Sequence, residues 1–189
     1  MSKMEGLPLL LVEKLKSLAI WVEEGLPEKN LFEQDLMFIR KKLFETETLM
    51  KKAEKSLKFS PSAKKSKPLL QEMELLLNTL YQMHSDIKAM FEILNERNKI
   101  VPLTKEIKEE WVHNLYLLEA AIRNWNEEKI ISDTNLLKYS SNESLLLPAF
   151  WHGEHLISIL KHHLFQPFTI KIHLLQTVIF NKWSLPFCS

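Results

Sequence analysis

The side chains best suited to chemistry are histidines near the C-terminus, where five of the seven lie after residue 151. The spacing of His152 and His155, with His162 within two further helical turns, suits a zinc or nickel site. Gly153 weakens a helix at this point, and the chain has no cysteine nearby. We therefore expect no metal and no cofactor. As an alternative function we keep a small helical metal- or ligand-binding protein that uses His152, His155, His162 and His163.

Arrangements typical of catalysis are missing from the sequence. Glu109 and Glu110 are adjacent and point in different directions on a helix, and Glu72 and Glu74 are two residues apart, so neither pair converges on one point. There is no G-x-S-x-G nucleophile motif. Three widely separated glycines also argue against phosphate-binding loops and hairpin-rich β folds. We predict that the protein is not an enzyme.

Two further polar residues have functional interpretations. His84 falls in an apolar helical stripe, where a histidine is a ligand, a proton switch, or a core residue hydrogen-bonded across the helices, and we expect the last. Ser60 precedes Pro61 and a lysine-rich stretch, which suits phosphorylation by a proline-directed kinase and a regulatory adaptor switched at this serine. The same residues also fit an ordinary loop.

Heptad-like spacing predicts the helices that position these residues. Apolar residues recur at alternating intervals of three and four, which keeps one stripe, here called a seam, toward a neighbouring helix. We predict interaction through seams formed by Phe32, Leu36, Ile39, Leu43, Met50, Leu70, Leu77, Leu80, His84, Ile87, Phe91, Trp111, Leu115, Leu118, Ile122 and Trp125. Apolar residues beside the seams favour three or four packed helices over a two-stranded coil: Met37, Phe38, Phe44, Leu76, Tyr81, Met83 and Met90.

Glycine and proline indicate where the helices end. Gly25 and Pro27 separate the first two helices, and Pro102 with Thr104 as a helix N-cap opens a later one. Residues 58–68 contain two prolines, three serines and four lysines, and we predict an exposed hinge there.

Charge is distributed unevenly along the chain. The totals balance, with 25 Lys and Arg against 24 Asp and Glu, which gives no electrostatic argument for nucleic acid, an anionic membrane or an acidic substrate as the main partner. Residues 1–139 hold 44 of these 49 charges, and residues 140–189 hold five. We predict a helical region over 1–139 and an irregular apolar tail over 140–189. The tail covers a groove of the helices, binds a partner or membrane surface, or is an alternative C-terminus, and we favour the last. Residues 150–165 are compatible with one more helix.

These patterns together predict an all-α protein: an antiparallel bundle of three to four long helices with coiled-coil character, followed by the irregular tail. We expect a non-enzymatic helical scaffold or interaction protein, a component of the cytoskeleton or of a multi-subunit complex, whose partners are other helical proteins or further copies of itself. No apolar stretch reaches transmembrane length, and the apolar run Leu9 to Val12 is too short for a secretion signal. We therefore expect an intracellular, cytoplasmic protein.

Tryptophans on helical faces, together with three helices of near-equal length, are similar to spectrin-type three-helix repeats over at most residues 29–130. That resemblance implies a cytoskeletal linker. Trp21, Trp111 and Trp125 do not recur at one fixed spacing, so we do not assign the family.

Overall fold

The computed structural model describes residues 6–25, 29–58, 63–127, 137–139 and 144–162. Over these residues the chain is all-helical, as predicted, and contains no strand. Five α-helices and one 3-10 turn follow one another: α1 (Leu7–Glu24), α2 (Lys29–Lys58), α3 (Ala63–Ile100), α4 (Lys105–Asn126), the turn Ser144–Leu146 and α5 (Leu147–His162).

Two helix ends lie where glycine and threonine predict them. Gly25 follows α1 with a φ of 126°, a conformation that favours glycine, and its N–H donates to the carbonyl of Trp21. At the start of α4, the Thr104 hydroxyl accepts a hydrogen bond from the backbone N–H of Ile107 at 3.4 Å. Hydrogen bonds from its own backbone and from Thr104 lower the pKa of Glu106 in the same turn.

The predicted hinge is shorter than the sequence suggests. Helix α2 continues to Lys58 and α3 already begins at Ala63, so Pro68 lies inside a helix. A proline costs least near a helix start, because the first turn of amides has no intrahelical acceptor in any case. Pro68 is only slightly beyond that turn. Residues 59–62 lie outside the described part of the chain.

Helices α1 and α4 pack side by side in opposite directions. Near the middle of α1, the Lys16 ammonium lies 3.9 Å from the carboxylate of Glu119. Toward the end of α1, the Lys108 ammonium lies 3.5 Å from the carbonyl of Glu23. Advancing along α1 therefore means moving back along α4, as in an antiparallel pair.

Helices α2 and α3 also run antiparallel. The rings of Phe32 and Phe91 lie 4.1 Å apart, and Trp21 of α1 stacks edge-on against Phe32 at 4.9 Å. Further along α2, the carbonyl of Leu36 meets the ring of His84. This aromatic cluster joins three helices, and its position within the main core explains why α1, α2 and α3 share one interior.

Beyond the main core, α2 and α3 continue as a paired extension. The core cluster ends at Leu43 in α2 and begins at Leu77 in α3. Farther out, Ala53, Leu57 and Met73 are buried but do not belong to that cluster. We call residues 44–58 with 63–76 the distal arm. At 1.5 Å per residue it extends about 20 Å.

The C-terminal region differs from the expected irregular tail over residues 144–162. Leu146, Ala149, Leu156 and Leu160 are buried in the same core as α1 to α4. The low charge of this region therefore reflects burial of α5 against α3 and α4. Residues after His162 lie outside the described part of the chain, so the proposal of an alternative C-terminus stays a prediction for them.

Gly153 allows α5 to lie close to its neighbours. A Cβ atom at this position would lie 2.6 Å from Cδ1 of Leu137 and 3.4 Å from Cδ1 of Leu118. The glycine that the sequence marks as a weak point of a helix is therefore a close-packing position.

We expect Gly153→Leu to lower the free energy of unfolding by about 2 kcal/mol, because the added side chain overpacks this contact. Gly153→Ala should stay within about 1 kcal/mol of the parent, since its better helix propensity offsets a displaced Leu137 methyl. Urea unfolding monitored by circular dichroism measures both. Ser158→Leu, at an exposed position of the same helix, is the control. Equal losses for Gly153→Leu and Ser158→Leu would contradict the packing role.

Candidate functional site

Most of the residues predicted to form interaction seams are buried within the chain's own fold. Met50 and Leu70 are half-buried. The other fourteen are buried: Phe32, Leu36, Ile39, Leu43, Leu77, Leu80, His84, Ile87, Phe91, Trp111, Leu115, Leu118, Ile122 and Trp125. Side chains packed against helices of the same chain are not available to a partner. A binding surface has to be sought on the outer faces of the helices.

His84 lies in the core of the α2–α3 pair. Its Nε2 is 2.9 Å from the carbonyl oxygen of Leu36, which requires that this nitrogen carry the proton and donate it. Burial lowers the pKa of His84, the hydrogen bond to Leu36 opposes that effect, and the positive charges of Arg40 and Lys88 lower the pKa further. The neutral ring is thus a hydrogen-bonded core residue, the role expected from its seam position.

A polar cluster joins α3 to α5. The carboxylate of Asp86 is buried, with its side chain 6% exposed. Its Oδ1 lies 2.8 Å from Nδ1 of His152, and its Oδ2 lies 2.8 Å from Nδ1 of His155. Each Nδ1 donates a proton to one carboxylate oxygen, because the buried anion can only accept. One carboxylate therefore fixes two residues on the same face of α5.

The sequence identifies the two histidines of this cluster but not the aspartate. Asp86 precedes His152 by 66 positions and His155 by 69, and nothing in its local pattern links it to them. The one available signal is its spacing in α3, three positions after Met83 and four before Met90, which places Asp86 on the same stripe as these two buried residues. Burying a carboxylate without donors costs several kcal/mol, so such a position implies partners from elsewhere in the chain.

Of the remaining candidate ligands, the structure describes only His162. His162 is exposed in the last turn of α5. His163 and the phosphorylation candidate Ser60 lie outside the described part of the chain. No group of three or more His, Cys, Asp or Glu side chains with the geometry to hold a metal ion occurs within residues 6–25, 29–58, 63–127, 137–139 and 144–162.

A second buried polar residue, Asn114 of α4, holds the segment that precedes α5. Its side-chain amide donates to the carbonyl of Lys138 at 2.7 Å, and its Oδ1 accepts from the Lys138 amide at 2.8 Å. This two-bond contact satisfies the backbone at Lys138 and lets Leu137 enter the core beside Gly153. Asn114 therefore has a positioning role within the fold.

An open cleft of about 260 Å³ lies between the end of α3 and the 3-10 turn, lined by Glu92, Ile93, Glu96, Arg97, Ile100 and Leu145. Its charged groups have partners in or just after α3. Arg97 donates to the carbonyl of Val101, Glu92 lies 3.4 Å from Lys88, and Glu96 lies 2.6 Å from Lys99. These contacts satisfy charged groups at the C-terminal end of α3.

Among the residues that the structure describes, the largest group of exposed apolar side chains lies on α2. Leu31, Met37, Phe38, Phe44 and Leu49 are between 51% and 70% exposed. Five exposed cations share this helix: Arg40, Lys41, Lys51, Lys52 and Lys55. We call these ten residues the outer face of α2. The ammonium of Lys42 lies 5.3 Å above the ring of Phe38, so cationic and aromatic groups interleave along the helix.

The expectation that the apolar residues beside the seams are covered is correct for α3 and wrong for α2. Met83 and Met90 are buried, the latter near α5. Met37, Phe38 and Phe44 are exposed because the nearest helices, α1 and α3, pack on the opposite side of α2. The outer face of α2 is therefore the surface that the structure leaves for interaction.

Asp86→Asn should lower the free energy of unfolding by about 1–3 kcal/mol, because it removes the charge from two charge-assisted hydrogen bonds in a buried site. Hydrogen exchange of the α5 amides should increase more than that of α1, since the cluster anchors α5. Asp35→Asn is the matched control, as Asp35 pairs with Lys14 at the surface and its loss should cost at most about 1 kcal/mol. Equal losses in the two variants would rule out a special role for Asp86.

Stability should decrease on acidification through His84. Because the folded-state pKa of His84 lies below the unfolded value of 6.5, the unfolded chain binds the proton first. The contribution is complete above pH 6.5 and is lost progressively as the pH falls toward the lowered value, at no more than about 1.4 kcal/mol per pH unit. In urea unfolding at several pH values, His84→Gln, which can still donate to Leu36, should show a shallower decline. A decline as steep as that of the parent would disprove this.

No helix within the described residues combines the length and apolar character that a membrane-spanning segment needs. The chain matches no known family model, no curated protein sequence and no solved structure. The similarity to spectrin-type repeats stays a prediction, and the function has to be argued from the contacts described above.

Proposed function

We propose that the protein is a non-enzymatic helical interaction protein that binds its partner through the outer face of α2. The observation that carries this proposal is the exposure of five large apolar side chains on one helix whose opposite side is packed in the core. Single exposed apolar residues are common on protein surfaces, but five on the solvent-facing part of one helix favour an interaction site.

Burial of the apolar side chains on the outer face of α2 would contribute a substantial free energy to binding. Complete burial of one large aliphatic or aromatic side chain is worth about 1.5–3 kcal/mol. Met37, Phe38 and Phe44 each retain more than half of their surface in water. Covering even part of this face therefore offers several kcal/mol before the entropic cost of association.

The polar groups described above support a non-enzymatic role, because each has a task in the fold. His84 donates to a backbone carbonyl of α2, and Asp86 anchors α5 through two histidines. Asn114 holds the backbone at Lys138. A catalytic side chain is typically presented to a substrate, whereas these groups are turned toward the chain itself.

The antiparallel helix pairs and the heptad spacing support the prediction of a bundle with coiled-coil character, in which the distal arm is the two-helix part. His152 and His155 each use Nδ1 to hydrogen-bond Asp86, which supports a role in anchoring α5. Metal binding through the Nε2 atoms of the two rings stays the alternative. The long helices provide a rigid support for the outer face of α2, which suits a scaffold.

Diffusion in living cells tests this proposal even while the partner is unidentified. A fluorescently tagged full-length chain that is held by a partner should diffuse more slowly than a free protein of 22.3 kDa plus its tag. The variant Met37→Ser with Phe44→Ser should diffuse faster than the parent, because it loses the binding surface but no core residue. Fluorescence correlation spectroscopy measures both.

The control is Ile100→Ser with Leu145→Ser, which removes two similarly exposed apolar residues that lie outside α2, in the cleft between α3 and the 3-10 turn. It should diffuse like the parent. The proposal fails if the parent already diffuses as a free monomer, or if the two double variants behave alike.

A further inference from the structure

We propose that the outer face of α2 docks on the surface of an anionic lipid bilayer, with its apolar side chains among the lipid headgroups and its cations on the lipid phosphates and carboxylates. This inference rests on the proposed function, because it uses the same face, and it goes further by naming the chemistry of the partner. The proposal concerns peripheral binding at the interface, with α2 lying in the plane of the surface.

Charge is the first argument. Among the exposed side chains of residues 31–57 of α2, five are cationic and two are acidic, and one of those acids, Asp35, already pairs with Lys14 of α1. Arg40, Lys41, Lys51, Lys52 and Lys55 lie within 16 consecutive positions, a distance of about 22 Å along the helix axis. Half-buried acids lie on the same helix: Glu45 is 3.8 Å from Lys42, and Glu47 pairs with Lys51. With these acids and Glu54 counted, residues 40–55 carry six cations and three acids, a net charge of +3 against +1 for the whole chain. Clusters of cations of this size on an amphipathic helix are typical of binding to anionic lipids.

Interleaving of apolar and cationic groups is the second argument. A bilayer interface offers anionic groups and hydrocarbon within a depth of about 5–10 Å, so it can accept both kinds of side chain from one helix face. Phenylalanine and leucine enter the headgroup region, while the long stems of lysine lie along it and carry the charge to the phosphates. The position of Lys42 above Phe38 shows how the two kinds of group share this surface.

The arrangement of the apolar residues argues against a partner helix. At 100° per residue, Leu31, Phe38 and Leu49 form one strip, and Met37 and Phe44 form a second strip about 120° away. Polar residues lie between the strips: Gln34, Lys41, Glu45, Thr48 and Lys52. A helix that packs by knobs into holes needs its apolar residues on the central line, where this face presents lysines. A fluid lipid surface has no such requirement.

Charge also argues against a second copy and against nucleic acid. Two copies that meet through this face would bring two surfaces of net positive charge together, which is unfavourable at close approach. A nucleic acid would satisfy the cations but leave most of the five apolar side chains in water. An anionic bilayer is the partner that satisfies both sets of groups.

Vesicle flotation with the full-length chain tests the inference. We expect binding to vesicles of phosphatidylcholine with phosphatidylserine, little binding to phosphatidylcholine alone, and weakening as salt is added. Lys41→Gln with Lys52→Gln should weaken binding about 25-fold, since each cation near such a surface contributes about fivefold in affinity. Met37→Ser with Phe44→Ser should also weaken it, because the apolar contribution is lost.

Matched control variants keep the test specific. Lys99→Gln with Lys105→Gln removes two exposed cations elsewhere, and Ile100→Ser with Leu145→Ser removes two exposed apolar residues elsewhere. Both should bind like the parent. Circular dichroism and urea unfolding should show that every variant is folded like the parent, as all the substituted residues are exposed.

Several outcomes would overturn the inference. These are no binding to anionic vesicles, equal binding to neutral ones, or α2 variants that bind like the parent. Binding to poly-glutamate as tight as to the vesicles would indicate an acidic protein instead. A dimer in light scattering that Met37→Ser with Phe44→Ser converts to a monomer would indicate a second copy. If the chain does not bind anionic vesicles, but Met37→Ser with Phe44→Ser still diffuses faster than the parent in cells, the proposed function stands and the lipid inference is wrong.

Discussion

Helix α3 has to be covered on two sides, toward α2 and toward α5. Its seam residues Leu77, Ile87 and Phe91 belong to the core shared with α2, and Met90 lies beside Gly153 of α5. A helix of 38 residues with two apolar sides cannot be stable in water alone, because each uncovered side forfeits the burial that offsets its conformational entropy. Helices α2 and α5 each cover one side. Helix α1 then closes the aromatic cluster through Trp21, and α4 packs along α1.

The polar residues inside this arrangement determine which neighbour lies where. Apolar surfaces pack against one another in many alignments at similar cost, whereas a buried carboxylate has few acceptable positions. With Asp86 on the α5 side of α3, only an alignment that brings His152 and His155 to its two oxygens avoids an unpaired buried charge. His84 plays the same part on the α2 side through the Leu36 carbonyl. We infer that these two polar contacts select the alignment and that apolar burial supplies most of the stability.

This difference between apolar burial and specific polar contacts explains which features can be predicted from the sequence. Heptad spacing predicts the helices and their buried stripes, because both depend on local periodicity, and Gly25 and Thr104 mark helix ends through local backbone chemistry. The contact of Asp86 with α5 spans more than sixty positions, so no local pattern contains it. The prediction that the hinge extends to Pro68 is wrong for a different reason, since a proline disrupts a helix less near its start than in its interior. Low charge after residue 139 suggests an irregular tail, whereas over residues 144–162 it reflects burial.

The outer face of α2 shows that burial of a helix residue depends on which side of the helix its neighbours reach, and not on residue type alone. Met37, Phe38 and Phe44 suggest further core by their type, yet a helix can bury only the stripe that its neighbours reach, and the stripe of α2 is already filled by Phe32, Leu36, Ile39 and Leu43. The additional apolar residues then face water, which by itself would favour association between copies. The cations among them oppose that association through repulsion at close range. At the anionic surface proposed as the partner, the same positive charges would be attractive, so the lysines that oppose close approach of two copies are those that the lipid proposal uses.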